Sequence, residues 1–458
     1  MRRILSAAEY EKALRDIPSD ESLQLSADVA RSAWKLMERN GLDRVVFLCD
    51  DPLRQIAKQS LERLAQSGKK ASMALLSKDQ LPELSRTLIC DLLFSTCEDD
   101  TFSRKRDLWI KAMSGPDRSV LSVAIPAGVD PDTGKAGDPA VQAKMTVALM
   151  AYLPGLFFRD GLDRCGEIYP VGGETERMKG IVRFEASDAQ RLLPPRKRTA
   201  HKGDSGRALL CVGSPLYVGA ALLSARSCLA AGAGILYVAC PDVVRTALGR
   251  LPEAIGISIG PDWDTDSCSI AIRALEGVRA VGLGCGVGHG DVSTLIEAVL
   301  RAKLSLVLDA DGLNCLSRRT ELYPLLHEKV IITPHPGEMS RLTGLAVEEI
   351  LDDPVGLSVR FAEKWGCIVL LKGAATVISD GKRTCIVAEG NAGLGKGGSG
   401  DVLTGIITGL LCQGIEPFSA ACLGSYLLGT SADKAFELLK ERMLRATNII
   451  EALEDWNE

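Results

Sequence analysis

Although the chain of 458 residues has 14 cysteines, it nowhere brings two of them into a CxxC pair. That spacing excludes the usual thiolate metal and redox motifs. Cysteines set singly in apolar runs, such as Cys49, Cys211, Cys240 and Cys367, read as small reduced core residues. No surplus of positive charge is present either. At a formal net charge of -5 the chain lacks the basic footprint on which nucleic-acid binding draws, so a small-molecule partner is expected and no nucleic acid. No apolar run reaches membrane length: Val147 to Phe158 is about half of what a span needs and contains Pro154. Met1-Arg2-Arg3 is basic, but Glu9, Glu11 and Lys12 arrive where the apolar stretch of a signal peptide would stand. These absences lead to the expectation of a cytoplasmic protein with no membrane partner. Short-period repeats and low-complexity tracts are absent as well.

What is present is enough apolar sequence, 46% of the residues, for more than one core, and a chain of this length is expected to form two domains. From Arg44 onward, short apolar runs (Val45 to Cys49, Thr87 to Leu93, Ser119 to Ile125) alternate with amphipathic stretches such as Leu53 to Ser67. That alternation predicts βαβ units and a parallel sheet. The polar, proline-containing stretch Ala186 to Asp204 interrupts it, which sets the expected domains at 1–190 and 191–458. A second series of candidate buried strands follows: Ala208 to Gly213, Ile235 to Cys240, Ala280 to Gly284, Leu304 to Ala310, Val330 to Thr333 and Cys367 to Leu371. The expected class is therefore α/β, with two doubly wound domains.

The densest local signal is GNAGLGKGGSGD, Gly390 to Asp401, between an apolar strand (Thr384 to Ala388) and an apolar helix (Val402 to Leu411). Backbone N–H groups at such a helix start form an anion site, because glycine lets the chain approach a phosphate closely. Gly397, Gly398, Ser399 and Gly400 suit that cradle. Asp401, at the helix entrance, reads either as an N-cap or as a base aimed at whatever occupies the anion hole. Gly393, Gly395 and Gly398 also satisfy GxGxxG, but the strand comes late in the domain and no acidic residue ends a following strand at the distance a dinucleotide fingerprint needs. A Walker A loop is excluded, since glycine rather than Ser or Thr follows Lys396.

Together with five other segments this turn resembles the ADP/ATP-dependent NAD(P)H-hydrate dehydratase family, whose members often carry an N-terminal NAD(P)H-hydrate epimerase domain. The segments are His201 to Arg226, Gly282 to Gly288 (GLGCGVG), Leu306 to Asn314 (LVLDADGLN), Ile332 to Gly344 (ITPHPGEMSRLTG) and Val369 to Gly381 (VLLKGAATVISDG). The resemblance implies a ribokinase-like C-terminal domain that dehydrates the S epimer of hydrated NADH or NADPH, with ADP, or else ATP, and Mg2+ as cofactors and AMP and phosphate released with ADP. It implies Asp401 as the base, and Ala220, Gly286, His335 and Asp401 as substrate contacts. Lys372, Gly373, Ala374, Ala375 and Thr376 would meet the adenine nucleotide, with Gly397, Gly398, Ser399 and Gly400 on its phosphates. For His335 the alternative is a histidine ordering the loop between Pro334 and Pro336. Glu338 either holds magnesium through water or caps the helix Met339 to Thr343, and Lys372 is either a phosphate contact or a solvated lysine. Ala220 and Gly286 line the pocket or pack the core. Asp309 and Asp311 end a buried strand, where paired acids support a site or a metal. The chain departs from the family in having Cys285 where proline is usual and Gly395-Lys396 where Ala-Ser or Ala-Thr is usual; Lys396 is expected to add positive charge beside the phosphates. A homo-oligomer is expected.

The first 185 residues resemble the epimerase, a Rossmann-like domain, in outline, at Ser122 to Gly137 and Leu153 to Val171. The family's glycine-rich phosphate loop is missing: after Cys49 the chain reads DDPLRQIAKQ, and Asp50 and Asp51 would repel a phosphate. The catalytic aspartate of the family's DIPSG motif is Ala124 here, and its serine is Ala127. Alanine neither exchanges a proton nor binds a cation, so an inactive epimerase domain without its potassium site is expected. The rival readings are a ribokinase-class kinase of a vitamin-precursor alcohol, a bifunctional enzyme with an active epimerase, and a non-catalytic binding scaffold.

Overall fold

The computed structural model describes residues 2–49, 53–94, 100–172, 180–193, 205–439 and 441–455. Asp50, Asp51 and the span from His201 to Asp204 lie outside the described residues. The chain forms two compact units, Arg2–Arg183 and Phe184–Glu458. The helix Ala186–Leu192 stands where a linker was expected and belongs to the second unit.

The first unit is built on a parallel sheet in the order Lys70–Leu75, Arg44–Cys49, Leu88–Leu92, Ser119–Val123, Met145–Leu149 and Glu167–Val171. Its central strands are buried along their whole length, which is what strands covered on both faces require. Trp109, Ile110 and Met113 of the helix Asp100–Met113 supply core on one side, against Val46, Leu48 and Ile89.

The second unit carries a larger sheet. Arg207–Cys211 lies between Ile235–Cys240 on one side and Ala280–Leu283 on the other. Ala254–Ser258 follows outward from the first neighbour, while Ser305–Leu308, Val330–Ile332 and Ile368–Leu371 follow from the second, all parallel. The antiparallel strands Thr376–Ser379 and Thr384–Val387 extend that side. Strand order therefore reverses beside Arg207–Cys211, and in an open α/β sheet the crevice outside the carboxyl ends at such a reversal is where ligands bind. The helix Ser399–Cys412 is buried from Val402 to Cys412 and packs on the sheet and on the helix Val218–Ala230. A helix apolar on every side belongs inside, and this one fixes its amino end at the same crevice. Among the described residues no helix is long and apolar enough to cross a membrane. Every described cysteine is buried and unpaired by disulfide, as expected from their setting in apolar runs.

Candidate active site

Three strand ends and one helix start converge in the second unit. Leu308 ends its strand, and the next residue, Asp309, begins the helix Ala310–Arg318. Leu371 ends another strand, and Lys372 follows, with its backbone N–H held by the Pro334 carbonyl at 2.8 Å. The Lys372 ammonium lies 2.6 Å from Asp309 Oδ1 and 3.7 Å from Glu338 Oε2. Burial alone would push the Asp309 carboxyl upward, but the ammonium beside it prevails and holds it below the usual carboxylate range. Burial would likewise lower Lys372, and the charges of Asp309 and Glu338 outweigh it and hold the lysine fully protonated. Thr404 Oγ1 and the Cys285 thiol donate to Asp309 Oδ2 at 3.2 and 3.9 Å.

The glycine-rich turn abuts this pair. A Cβ on Gly400 would stand 3.1 Å from Asp309 Oδ2 and 3.6 Å from Lys372 Nζ. Gly398 adopts φ +102°, a left-handed conformation that favours glycine, and it caps the helix that begins at Ser399. The first N–H groups of that helix have no partners within it, so they face the turn as anion donors. Asp401, two residues into the helix, is partly buried. Burial, and then the charge of Asp309, push its carboxyl up to about 6; the Cys285 thiol and Lys372 pull in the opposite sense. A carboxyl titrating there is matched to proton transfer near neutrality.

Asp401 lines a cavity of about 900 Å³, together with Tyr217, Ala220, Gly286, Gly288 and Asp311. The volume suits a small organic ligand. Gly286 has φ +65°, and a Cβ on it would meet Ala220 Cβ at 2.7 Å and Tyr217 Cβ at 2.8 Å, so the small residues at 220 and 286 face each other across one wall. Asp311 Oδ2 accepts the Gly288 N–H at 2.7 Å and so holds the Gly284 to Gly288 loop against the helix Ala310–Arg318.

Of the residues read from the sequence, Ala220, Gly286 and Asp401 share this cavity, and Lys372, Gly400 and Asp309 cluster beside Asp401. His335 is not among the lining residues; its Nδ1 accepts the Gly337 N–H at 3.0 Å, capping the helix Pro336–Thr343. Glu338 closes the same cap by accepting the His335 N–H at 2.8 Å. Gly373 and Ala374 are exposed in the turn before the strand Thr376–Ser379, and Ala375 is buried. The Lys396 ammonium donates to the carbonyls of Arg442 and Leu444 at 2.7 and 2.8 Å. Cys285, noted in the sequence only as a departure from the family, proves to touch Asp309 and to influence Asp401. The sequence reading also missed Asn314, Arg318 and Arg341, which line the cavity. Asp311, Asn314 and Arg318 stand at i, i+3 and i+7 on one helix, a spacing that signals a shared face.

Among the described residues no group of three or more His, Cys, Asp or Glu side chains forms a ready metal cage. Magnesium rarely uses one: it keeps several waters and takes one or two carboxylates together with substrate phosphates. Glu338 suits that part, since its Oε2 is engaged by the His335 N–H while Oε1 forms no hydrogen bond among the described residues and lies 3.6 Å from His335 Nε2.

In the first unit, Ala124 is buried at the end of the strand Ser119–Val123 with φ +73°, and Ala127 is buried as well. Asp91, also fully buried, accepts hydrogen bonds from Ser122 Oγ (2.9 Å), the Ala127 N–H (2.8 Å) and the Leu93 N–H (3.1 Å). Burial pushes its carboxyl above the ordinary range, and those three donors oppose the shift.

Comparison with known proteins agrees with this geometry. Residues 208–455 match the NAD(P)H-hydrate dehydratase family, and residues 30–155 match the YjeF-related protein N-terminus. The bifunctional NAD(P)H-hydrate repair enzyme Nnr of Moorella thermoacetica is 32% identical over 437 residues, covering 90% of this chain and 82% of that one. The enzyme of the same name from Vibrio cholerae is 30% identical over 431 residues, covering 92% and 84%. The crystal structure of ADP/ATP-dependent NAD(P)H-hydrate dehydratase from Bacillus subtilis, co-crystallised with ATP and Mg2+, superposes with a TM-score of 0.54 at 31% identity, over 60% of this chain and 96% of that one. The turn at Gly397 to Asp401, the reversal of strand order and the extent of these matches lead to one assignment: this chain belongs to the NAD(P)H-hydrate dehydratase family, in the two-part form that also carries a YjeF-related N-terminus.

Proposed function

We propose that this chain repairs hydrated NADH and NADPH, dehydrating the S epimer with ADP as the phosphoryl donor and releasing AMP and phosphate. The observation that carries the reading is the placing of Asp401. It is a carboxyl raised to about 6, at the start of a glycine-led helix, on the wall of a cavity large enough for the damaged ring. Asp401 takes the proton of the ring hydroxyl as its oxygen attacks the terminal phosphorus of ADP. The new O–P bond forms as the bond to the leaving AMP breaks, and the helix-start N–H groups stabilise the charge spread over the phosphoryl oxygens. Phosphate then departs with the former hydroxyl oxygen, and loss of a proton from the neighbouring ring carbon restores the double bond. Glu338 would hold the magnesium ion, which would supply neutralising charge for those phosphates.

Lys372 serves the site through Asp309 and Glu338, fixing the carboxylates beside the glycine turn, and the strand end from Lys372 to Thr376 borders the adenine nucleotide. His335 orders the loop before its helix, and its imidazole is the proposed contact to the hydrated dinucleotide. The first unit, with Ala124 and Ala127 in place of the family's aspartate and serine, is an epimerase fold without epimerase chemistry or its potassium site.

The reading is tested by incubating the protein with hydrated NADH and ADP. Recovery of the reduced ring's absorbance with stoichiometric AMP supports it. A stable phosphorylated product with no recovery of the ring would instead identify a small-molecule kinase of the ribokinase class.

A further inference from the structure

The cavity beside Asp401 is unevenly charged. Asp401 and Asp311 lie toward one part of it, and Arg318 and Arg341 also line it. Asp311, Asn314 and Arg318 share one face of the helix Ala310–Arg318. From Asp311, whose charge reaches Asp401, that face runs to Arg318 over roughly 10 Å of helix rise. The acidic side chain on this stripe is already satisfied: Asp311 accepts the Gly288 N–H at 2.7 Å and the Asn314 amide at 3.4 Å. Asn314 in turn accepts Arg341 Nε at 2.8 Å, which brings the second guanidinium to the same face, one turn before Arg318. Arg341 is thus oriented through Nε, and its two terminal nitrogens form no hydrogen bond among the described residues. Arg318 is exposed and forms neither hydrogen bond nor ion pair among them.

A cavity lined by two arginines, one of them without a hydrogen bond or ion pair among the described residues, suits a ligand that carries phosphate at a fixed distance from its reacting end. Guanidinium forks match phosphate oxygens in pairs. We propose that Arg318 and Arg341 clamp the pyrophosphate of the dinucleotide, one ribose away from the ring that Asp401 serves, and so make the enzyme selective for hydrated dinucleotides over smaller hydrated nicotinamides. The proposal rests on the dehydratase reading and gives its substrate pocket a direction, from the ring at Asp401 to the phosphates at Arg318. The clamp contributes binding and orientation, while proton transfer stays at Asp401.

The test compares two substrates on the full chain at saturating ADP: hydrated NADH, and the hydrate of reduced nicotinamide riboside, which has no phosphate. Arg318→Gln and Arg341→Gln should each lower kcat/KM for hydrated NADH about tenfold, as loss of a hydrogen bond to a charged group does, and leave the riboside hydrate unaffected. Among the described residues Arg318 has no hydrogen bond or ion pair to lose, so its substitution reads binding and not folding. Equal losses on both substrates, or no loss on either with the wild type active, would overturn the clamp alone. A wild type inert toward hydrated NADH would overturn the dehydratase reading and the clamp with it.

Discussion

The two units both present the carboxyl ends of parallel strands, with opposite contents. In the second unit these ends deliver Asp309 and Lys372 to the foot of a glycine-led helix that carries Asp401. In the first, the strand Ser119–Val123 runs into Ala124 and Ala127, and the buried carboxylate of Asp91 has both oxygens engaged by Ser122, Leu93 and Ala127. Ala124 has φ +73°, a conformation that costs free energy in any residue with a Cβ. The comparison teaches that one sheet architecture can present very different side chains at its strand ends, so each site has to be argued from its own residues. Fold and function are separable within one chain.

That contrast can be broken or sharpened by experiment. The largest effect is expected at Lys372. Replacing it with Met leaves the Asp309 charge buried without its ammonium and should destabilise the second unit by about 3 to 5 kcal/mol in chemical denaturation. An unchanged midpoint would mean that the pair is not the centre of the site. Next comes Asp401→Asn. A carboxyl raised from 3.8 to about 6 in the folded chain is penalised wherever it is ionised, so the variant should be more stable than wild type at pH 8, by up to about 3 kcal/mol. The gain should shrink as the pH falls through 6 and vanish below the unfolded value of 3.8, because both states of the wild type are then protonated. Thermal unfolding across that range reads the sign directly.

A smaller effect belongs to Cys285. Its thiol favours the ionised form of Asp401, so Cys285→Ala should move the acid limb of the pH–rate profile, near 6 in the wild type, to higher pH. A limb that stays or moves down would show that the thiol and the carboxyl are not in contact. In the first unit the expected effect is none: purified epimers of the hydrate should interconvert at the uncatalysed rate, and any acceleration would erase the contrast between the two units.

Much of this was legible beforehand. Runs such as Val330 to Ile332 and Ile368 to Leu371 are apolar throughout, and a parallel strand buried on both faces has no other composition, so their places could be read directly. The turn at Gly397 to Asp401 was legible because Gly398 is left-handed and a Cβ on Gly400 would crowd Asp309 Oδ2 at 3.1 Å, and glycine is visible in one letter. Partnerships between distant residues were not. Lys396 reads as a charge beside its neighbours, yet its ammonium reaches the carbonyl of Leu444, 48 residues on. Lys372 meets Asp309 across 63 residues, a contact that sheet order creates and that local sequence does not show. Arg341 was hidden for the same reason, since only the packing of its helix brings it to Asn314. The helix Ala186–Leu192 was overlooked because LLPPRKR, just after it, dominates the composition of the stretch.

The most direct test of the whole account is single-turnover dehydration of hydrated NADH by Asp401→Asn beside the wild type, with ADP binding measured on the same samples. Removing a general base should slow turnover about a thousandfold and leave nucleotide affinity within a factor of about two. Turnover at the wild-type rate would contradict the role given to Asp401, and with it the mechanism built on the glycine-led helix.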